Sequence, residues 1–383
     1  MRGAGSDGAA PLQGLPSNLR EGLALAHMPA LDGIRAVAAF TVVFYHAGIP
    51  LVPAGQGVLA FFVLSGFLIT WLLLREDEAT GTISLKGFYA RRSLRIFPPF
   101  IVYWCVVLVL LRATGNAVHV PQAIASFLYV NNYYQALTGD PNTLLSHTWS
   151  LGVEEQFYLL WPAAFIALRH DRRRLARVLT GMVVALWVYR EVMVLGVGID
   201  QGYVYEAFDM RADHLLVGCL MAVTLRAGLW PGLWRFLTAA PARMVVTALL
   251  LILSIAAAHV VGGRYRDVVG FILDPVLMAV LIVQAIAFCR SPVAKWLNWG
   301  WMRYLGAISY PVYLYHPLTV AVVDKAPLRG VPYLGLVLLL TTLAAAGSYH
   351  IVERPMLRLK KRFAASVPRP QAASRAAGTP VAP

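Results

Sequence analysis

The chain has 383 residues, of which 58% are hydrophobic and only 14% are charged, whereas soluble domains carry about 25% charged residues. An ordinary soluble protein is therefore excluded. The formal net charge of +14 does not indicate nucleic-acid binding, because the basic residues lie in short segments between apolar stretches and form no recognition helix. The three cysteines lie in apolar stretches at no metal-ligand spacing, so we expect neither a disulfide framework nor a metal site nor a bound cofactor.

Ten apolar stretches have about the length that crosses the hydrocarbon core of a bilayer. They predict an all-α fold, a polytopic bundle of transmembrane helices. The predicted spans are residues 30–50, 56–74, 96–113, 148–168, 178–196, 205–225, 243–261, 268–289, 304–323 and 332–352.

The distribution of Lys and Arg predicts the orientation of the bundle. If successive spans cross the membrane in opposite directions, 25 of the 33 basic residues lie on the side of the N-terminus and five lie on the other side. Cytoplasmic segments are enriched in basic residues, so both termini are predicted to be cytoplasmic. We expect a flexible cytoplasmic N-terminus (1–28), one membrane domain (29–357) and a basic, then disordered, cytoplasmic tail (358–383).

Two ionisable residues lie within the first predicted span, where charge is expensive and therefore suggests function. Ten residues separate Arg35 from His46, which puts both on one helix face about 16 Å apart along the axis. Because both side chains lie on one helix face, we expect them to line a common cavity. The alternative is structural: an arginine that reaches to the interface and a hydrogen-bonded interior histidine.

Glu154 lies near the start of the fourth predicted span, at a depth similar to that predicted for His46. A carboxylate beside a histidine can orient it as a general base or nucleophile. The alternative is that Glu154 only forms an ion pair with an arginine such as Arg211. Ser65 in the second span is a weaker candidate nucleophile, because it has no G-x-S-x-G context.

Further polar residues lie in the sixth and ninth predicted spans. Asp209 and Asp213 share a helix face and either shape an acceptor site or neutralise arginines. Pro311 and Pro317 flank His316, and helices broken by proline are tolerated at membrane depth where they line a cavity.

The segment 82–95 mixes apolar and basic residues and is predicted to be an interfacial helix on the cytoplasmic face. It contains Arg91, Arg92 and Arg95. Guanidinium groups suit phosphate, so this cluster is a candidate site for a phosphorylated, nucleotide-bearing thioester. Lipid headgroups are the alternative ligand.

Six segments, taken in order, resemble the acyltransferase 3 family of bacterial membrane proteins, which includes O-antigen and other surface-glycan O-acetyltransferases. The segments are Leu-Asp-Gly-Ile-Arg followed by His46, Phe-Phe-Val-Leu-Ser-Gly-Phe-Leu-Ile, Arg-Arg-Ser-Leu-Arg-Ile-Phe-Pro, His-Thr-Trp-Ser-Leu-Gly-Val-Glu-Glu-Gln-Phe-Tyr, Ser-Tyr-Pro-Val-Tyr-Leu-Tyr-His and Val-Glu-Arg-Pro. They cover about residues 30–357, and only the region 170–300 matches loosely.

The resemblance implies transfer of an acyl group, most often acetyl, from acyl-CoA to a hydroxyl of a glycan, glycolipid or glycoside at the bacterial inner membrane. It assigns the essential pair of the family to Arg35 and His46, and the donor-side R-x-x-R element to Arg92 and Arg95. Some relatives carry an additional SGNH domain, and this chain is expected to be a member without one.

The resulting hypothesis is that the phosphates of CoA bind Arg92 and Arg95, while His46, oriented by Glu154, either accepts the hydroxyl proton of the acceptor or carries the acyl group. The main alternative is a transporter or flippase of a lipid-linked glycan or small metabolite, which would also have broken helices and buried charges. A passive scaffold is disfavoured by the cost of so many ionisable groups in the membrane.

Overall fold

The computed structural model describes residues 14–25, 27–49 and 53–359, together with Leu12. Over these residues the chain is helical without β-strands, which confirms the all-α prediction. The α-helices are α1 (Ser17–Ala24), α2 (Pro29–His46), α3 (Ala54–Thr80), α4 (Leu85–Ala113), α5 (Val120–Phe127), α6 (Asn131–Thr138), α7 (Trp149–Leu168), α8 (Arg172–Glu191), α9 (Gln201–Glu206), α10 (Phe208–Arg226), α11 (Pro231–Leu237), α12 (Ala242–Val261), α13 (Gly263–Tyr265), α14 (Phe271–Ala287), α15 (Gly300–Ala307), α16 (Ser309–Val323), α17 (Gly330–Ser348) and α18 (Arg354–Leu359). Short 3₁₀ segments (Ser146–Thr148, Lys295–Asn298) and π-helical segments (Val192–Val197, Arg266–Gly270, Tyr349–Glu353) adjoin them.

Within the described residues, six helical segments are long and apolar enough to cross a membrane, and two bent helix pairs raise the number of candidates to eight. The protein is thus a helical membrane protein. Two of the ten predicted spans do not qualify. Helix α7 carries Glu154, Glu155 and Gln156 and is not among the candidate spans. The ninth predicted span is divided between α15 and the 15-residue α16. The count of ten spans and the position of the termini remain predictions.

Helix α3 lies at the centre of the bundle and packs against α2 and α10. Two glycines allow its close approach to α10. A Cβ atom on Gly66 would overlap the carbonyl oxygen of Leu215, and one on Gly218 would overlap the carbonyl oxygen of Val63. Small residues of this kind bring membrane helices into backbone contact, so α2, α3 and α10 form a tightly packed centre.

One end of the bundle, here called the basic end, is where α3 ends and α4 begins. Ion pairs join the helices there: Arg91 contacts Glu76 at 2.7 Å and Arg169 contacts Asp77 at 2.6 Å. The other end, here called the histidine end, is where α2 ends at His46. The predicted interfacial helix 82–95 is not a separate element, because α4 begins at Leu85 and continues without a break to Ala113.

Part of the N-terminal segment that was expected to be flexible is helical. Helix α1 buries Leu19 and Leu23 and packs against α14. The rest of the expected N-terminal flexibility falls largely on residues 1–11, and that of the tail on 360–383, both of which lie outside the described residues.

Candidate active site

A small cavity toward the basic end, here called the arginine cavity, brings together charged side chains from α2, α4 and α7. Arg35, Arg92, Arg95, Glu154 and Glu155 line it, and its volume is about 70 Å³. Three guanidinium groups face two carboxylates, so the cavity favours an anionic ligand. The other lining residues are Val58, Phe61, Phe62, Ser65, Ile96, Ser150, Leu151, Ser309, Tyr310 and Tyr313.

Glu154 belongs to the arginine cavity and is not a partner of His46. Its Oε1 accepts a hydrogen bond of 2.6 Å from the hydroxyl of Ser65. The Nδ1 atom of His46 instead lies 2.9 Å from the carbonyl oxygen of Val42, one turn back on the same helix. The expectation that Glu154 orients His46 is therefore corrected, because similar predicted depth does not put two side chains on facing sides of their helices.

The three arginines of the predicted phosphate site separate into two groups. Arg92 and Arg95 line the arginine cavity, and the guanidinium carbon of Arg92 lies 3.7 Å from the centre of the Tyr158 ring. Arg91 points elsewhere and pairs with Glu76. Consecutive helical residues are rotated by about 100°, so Arg91 cannot share a face with Arg92. The structure thus places two of the three predicted residues, together with Arg35, around one cavity.

A much larger cavity, here called the histidine cavity, opens toward the histidine end. Its volume is about 940 Å³, and His46 and His147 line it. The ring of His316 lies directly behind them, with ring centres 4.9 Å from His46 and 5.3 Å from His147. Three imidazoles from different parts of the sequence therefore meet at the end of α2.

The ring nitrogens of His147 and His316 make few hydrogen bonds. His147 is 8% exposed and His316 is fully buried. Nε2 of His316 has no hydrogen-bond partner, and its Nδ1 lies 2.7 Å from the carbonyl oxygen of Tyr313. The ring of His147 faces the backbone carbonyls of Leu144 and Leu314 without a well-formed hydrogen bond. Among the described residues, no group of three His, Cys, Asp or Glu side chains is arranged to hold a metal ion.

Sequence reasoning did not select His147 as a site residue. The signal available was its place in the segment His-Thr-Trp-Ser-Leu-Gly-Val-Glu-Glu, directly before α7. The sequence places His316 between two prolines and assigns no role to its side chain. Neither pattern reveals that the two rings approach His46, because this contact joins three separate helical segments.

A thin wall separates the two cavities. Val58 and Tyr313 line both of them. The hydroxyl of Tyr313 lies 2.6 Å from the hydroxyl of Ser150 and donates to the carbonyl oxygen of His147 at 2.9 Å. Arg35 and His46, on one helix, thus face neighbouring cavities on opposite sides of this wall.

The buried carboxylate of α10, Asp213, is held by a neighbour on its own helix and by an arginine of α8. Asp213 is buried and contacts Arg190 at 3.0 Å and His214 at 2.8 Å. Arg211 is also buried, with its guanidinium carbon 4.1 Å from the centre of the Phe271 ring, and it does not pair with Glu154. These contacts favour the structural reading of Asp213.

Comparisons with known proteins identify the family of this chain. A family profile described as an acyltransferase domain matches residues 28–352. The peptidoglycan O-acetyltransferase OatA of Listeria monocytogenes serovar 1/2a is 30% identical over 316 residues, which are 76% of this chain and 49% of the relative. The O-acetyltransferase OatA of Staphylococcus aureus strain NCTC 8325 is 31% identical over 368 residues, 88% of this chain and 58% of the relative.

The chain therefore spans only about half to three-fifths of the length of these relatives. No solved structure matches it. The family match, by contrast, extends from α2 to the end of α17 and includes both cavities. The chain belongs to the acyltransferase 3 family.

Proposed function

We propose that this protein is a membrane O-acyltransferase that moves an acetyl group from acetyl-CoA to a hydroxyl of an envelope glycan, glycolipid or glycoside. Membership of the family supports the reaction class. The relatives named as O-acetyltransferases support acetyl as the transferred group, and the one named as a peptidoglycan O-acetyltransferase supports a glycan acceptor. One observation carries the assignment of the site: two cavities, one cationic and one rich in histidine, share the wall of Val58 and Tyr313.

The donor binds on the basic side of the wall. Arg35, Arg92 and Arg95 provide the positive charge that a phosphorylated thioester requires. At about 70 Å³, the cavity is far smaller than acyl-CoA and holds only a group of a few heavy atoms. The group that fits it is an anionic phosphate of the donor, held by the arginines, and the rest of the acyl-CoA lies outside the cavity.

The acceptor binds in the histidine cavity, whose volume of about 940 Å³ is sufficient for an oligosaccharide segment. His46 is the exposed member of the histidine trio, and His147 and His316 pack against it. His46 is therefore the residue that meets the acceptor hydroxyl.

Two reaction routes transfer the acyl group from the donor in one cavity to the acceptor in the other. In the first, His46 accepts the hydroxyl proton while the hydroxyl oxygen attacks the thioester carbonyl, and the CoA thiolate leaves and takes up a proton. In the second, a nitrogen of His46 attacks the thioester carbonyl and the CoA thiolate leaves and takes up a proton; the acceptor hydroxyl then attacks the acyl-imidazole, and the freed imidazole takes up the hydroxyl proton. Both routes require the wall at Tyr313 to yield. Glu154, which accepts a hydrogen bond from Ser65, belongs to the donor side of the wall.

The localisation that fits this reaction is the bacterial inner membrane, with the basic end in the cytoplasm, where acyl-CoA is made. The alternative of a transporter gains no support from the geometry of the described residues, whereas family membership favours the enzyme.

Acetylation by isolated membranes tests the proposal. Membranes with wild-type protein or the His46→Ala variant would receive radiolabelled acetyl-CoA and an extract of envelope glycans. We expect label in the glycan fraction with the wild type and a loss of at least a hundredfold with His46→Ala, since general bases and nucleophiles contribute about 10²-fold or more.

His170→Ala is the matched control, because His170 lies at the basic end, outside both cavities. It should retain wild-type labelling. Equal labelling by His46→Ala and wild type would remove His46 from the reaction. Failure of inserted wild-type protein to label any glycan, with longer acyl-CoA donors also supplied, would contradict the proposed activity.

A further inference from the structure

The histidine cavity is acidic apart from its histidines. Four carboxylate residues line it, Asp140, Glu206, Asp274 and Asp324, together with a single arginine, Arg266. The arginine cavity has the opposite balance. A difference in charge between two cavities selects ligands of opposite charge for each. The acidic cavity is the proposed acceptor site, so its charge selects the acceptor rather than the donor.

The arginines near this cavity do not cancel its negative charge. Arg266 already pairs with Asp267 at 2.8 Å. Arg211 is fully buried behind Phe271 and offsets at most one carboxylate. The cavity therefore disfavours an acidic sugar such as a uronic acid.

The four carboxylates differ in how they are held. Hydrogen bonds from this protein reach the three aspartates: Gln135 donates to Asp140 (2.8 Å), Gln56 to Asp274 (2.7 Å) and Tyr333 to Asp324 (2.7 Å). Glu206 is only 9% exposed, yet its carboxylate makes no hydrogen bond or ion pair with any residue that the structure describes. An unpaired buried carboxylate is costly, and a ligand would relieve that cost.

Two further features of the same cavity point to a ligand. His147, about nine-tenths buried, lines the cavity without a well-formed hydrogen bond at either ring nitrogen. The rings of Trp149 and Tyr205 lie side by side in the wall, with centres 5.1 Å apart, and Tyr205 directly precedes Glu206. Aromatic rings bind both the apolar faces of sugars and cations.

We propose that the acceptor carries a positively charged amine, as in an amino sugar whose amino group is free, and that Glu206 binds this amine while the sugar lies against Trp149 and Tyr205. This inference rests on the proposed function and adds to it the chemical class of the acceptor. Glu206 here determines specificity and takes no part in proton transfer.

A matched pair of oligosaccharides tests the proposal. A β-1,4-linked glucosamine tetramer and its fully N-acetylated counterpart have the same skeleton and hydroxyls and differ in charge. With labelled acetyl-CoA and wild-type membranes, we expect a KM at least tenfold lower for the free amine, counted as O-linked label after chemical N-acetylation of unreacted amines and alkaline release. The Glu206→Gln variant should raise that KM about tenfold or more, since charge-assisted hydrogen bonds are among the strong ones, and should leave kcat within about threefold.

The N-acetylated tetramer should be used equally by the wild type and Glu206→Gln, which separates lost recognition from a damaged fold. Glu21→Gln is the control, because Glu21 is an exposed carboxylate paired with Arg290 and lies outside the cavity. Preference for the N-acetylated or for an acidic tetramer, or an unchanged KM in Glu206→Gln, would overturn the inference.

Failure of the inference is distinguishable from failure of the proposed function. If the envelope extract is labelled in a His46-dependent way but the free-amine tetramer is not preferred, the function stands and the inference fails. If nothing is labelled, thermal unfolding of purified protein decides: stabilisation by the glucosamine tetramer in the wild type but not in Glu206→Gln supports the cation site, and equal stabilisation of both rejects it.

Discussion

Neighbouring arginines at the start of α4 have different surroundings, although the sequence gives them similar chemistry. Arg92 lies over the Tyr158 ring in the arginine cavity. Arg91 instead contacts Glu76, which also accepts a hydrogen bond from the backbone N–H of Ser84, the N-cap of α4. One arginine is therefore positioned to meet a ligand and the other joins two helices.

Substitution of these two arginines should affect different measurements. Arg92→Gln should raise the KM for acetyl-CoA about tenfold, because a charge-assisted contact to an anion is lost. Arg91→Gln should leave that KM within about twofold and lower the unfolding free energy by about 1–3 kcal/mol, because Glu76 loses its partner. Donor titrations and thermal unfolding of purified protein would measure the two effects. The same change in donor KM for both variants would contradict this division of roles.

At the scale of helices, the contact between α3 and α10 depends on the absence of side chains. Gly66 and Gly218 bring each helix against the backbone of the other. Ser65, which bonds Glu154, directly precedes Gly66, so the spacing of these helices also sets the position of the arginine cavity.

Gly66→Ala should destabilise the protein by at least about 1–3 kcal/mol, since it inserts a methyl group where the carbonyl of Leu215 lies. Gly181→Ala is the matched control. Gly181 lies in the middle of α8, where an added Cβ atom would meet nothing within 4 Å, and alanine has the higher helix propensity by about 1 kcal/mol. Thermal unfolding in detergent should fall for the first variant and stay equal or rise for the second. Equal stability of Gly66→Ala and the wild type would show that α3 and α10 can separate without cost.

At the scale of the molecule, the unequal charge of the two ends predicts which end is cytoplasmic. Single cysteines at Arg173 and Arg329, both exposed and at opposite ends, would be placed in a variant without the native Cys105, Cys219 and Cys289. A membrane-impermeant maleimide should label the cysteine at 329 in intact cells, and the one at 173 only after permeabilisation. The reverse pattern would invert the predicted topology and put the arginine cavity on the wrong side for acyl-CoA.

The sequence predicts the helical class, the membrane character and several of the cavity residues. Helical periodicity correctly put Arg35 and His46 on one unbroken helix, α2, but the expected common cavity is wrong, because the wall of Val58 and Tyr313 divides the space beside this helix into two cavities. The prediction from depth failed for Glu154, because two helices can bring residues to the same depth while their side chains point into different cavities. His147 and Glu206 were missed because their significance depends on neighbours from other helices. The count of ten spans stays a prediction, because polar residues in α7 and a break before α16 interrupt the apolar pattern there.

The wall of Val58 and Tyr313 has a consequence for the cell as well as for the enzyme. Bacteria store energy as a proton gradient across the membrane, and two cavities that approach each other from opposite sides are a potential path for its dissipation. Here the side chains of Val58 and Tyr313 lie between the two cavities and interrupt a continuous path of water. The Tyr313 hydroxyl is hydrogen-bonded to the Ser150 hydroxyl and to the carbonyl oxygen of His147. In the proposed transfer, an acyl group must pass between the cavities while protons do not, and this requirement restricts which side chains can replace Tyr313, independently of their effect on the rate of transfer.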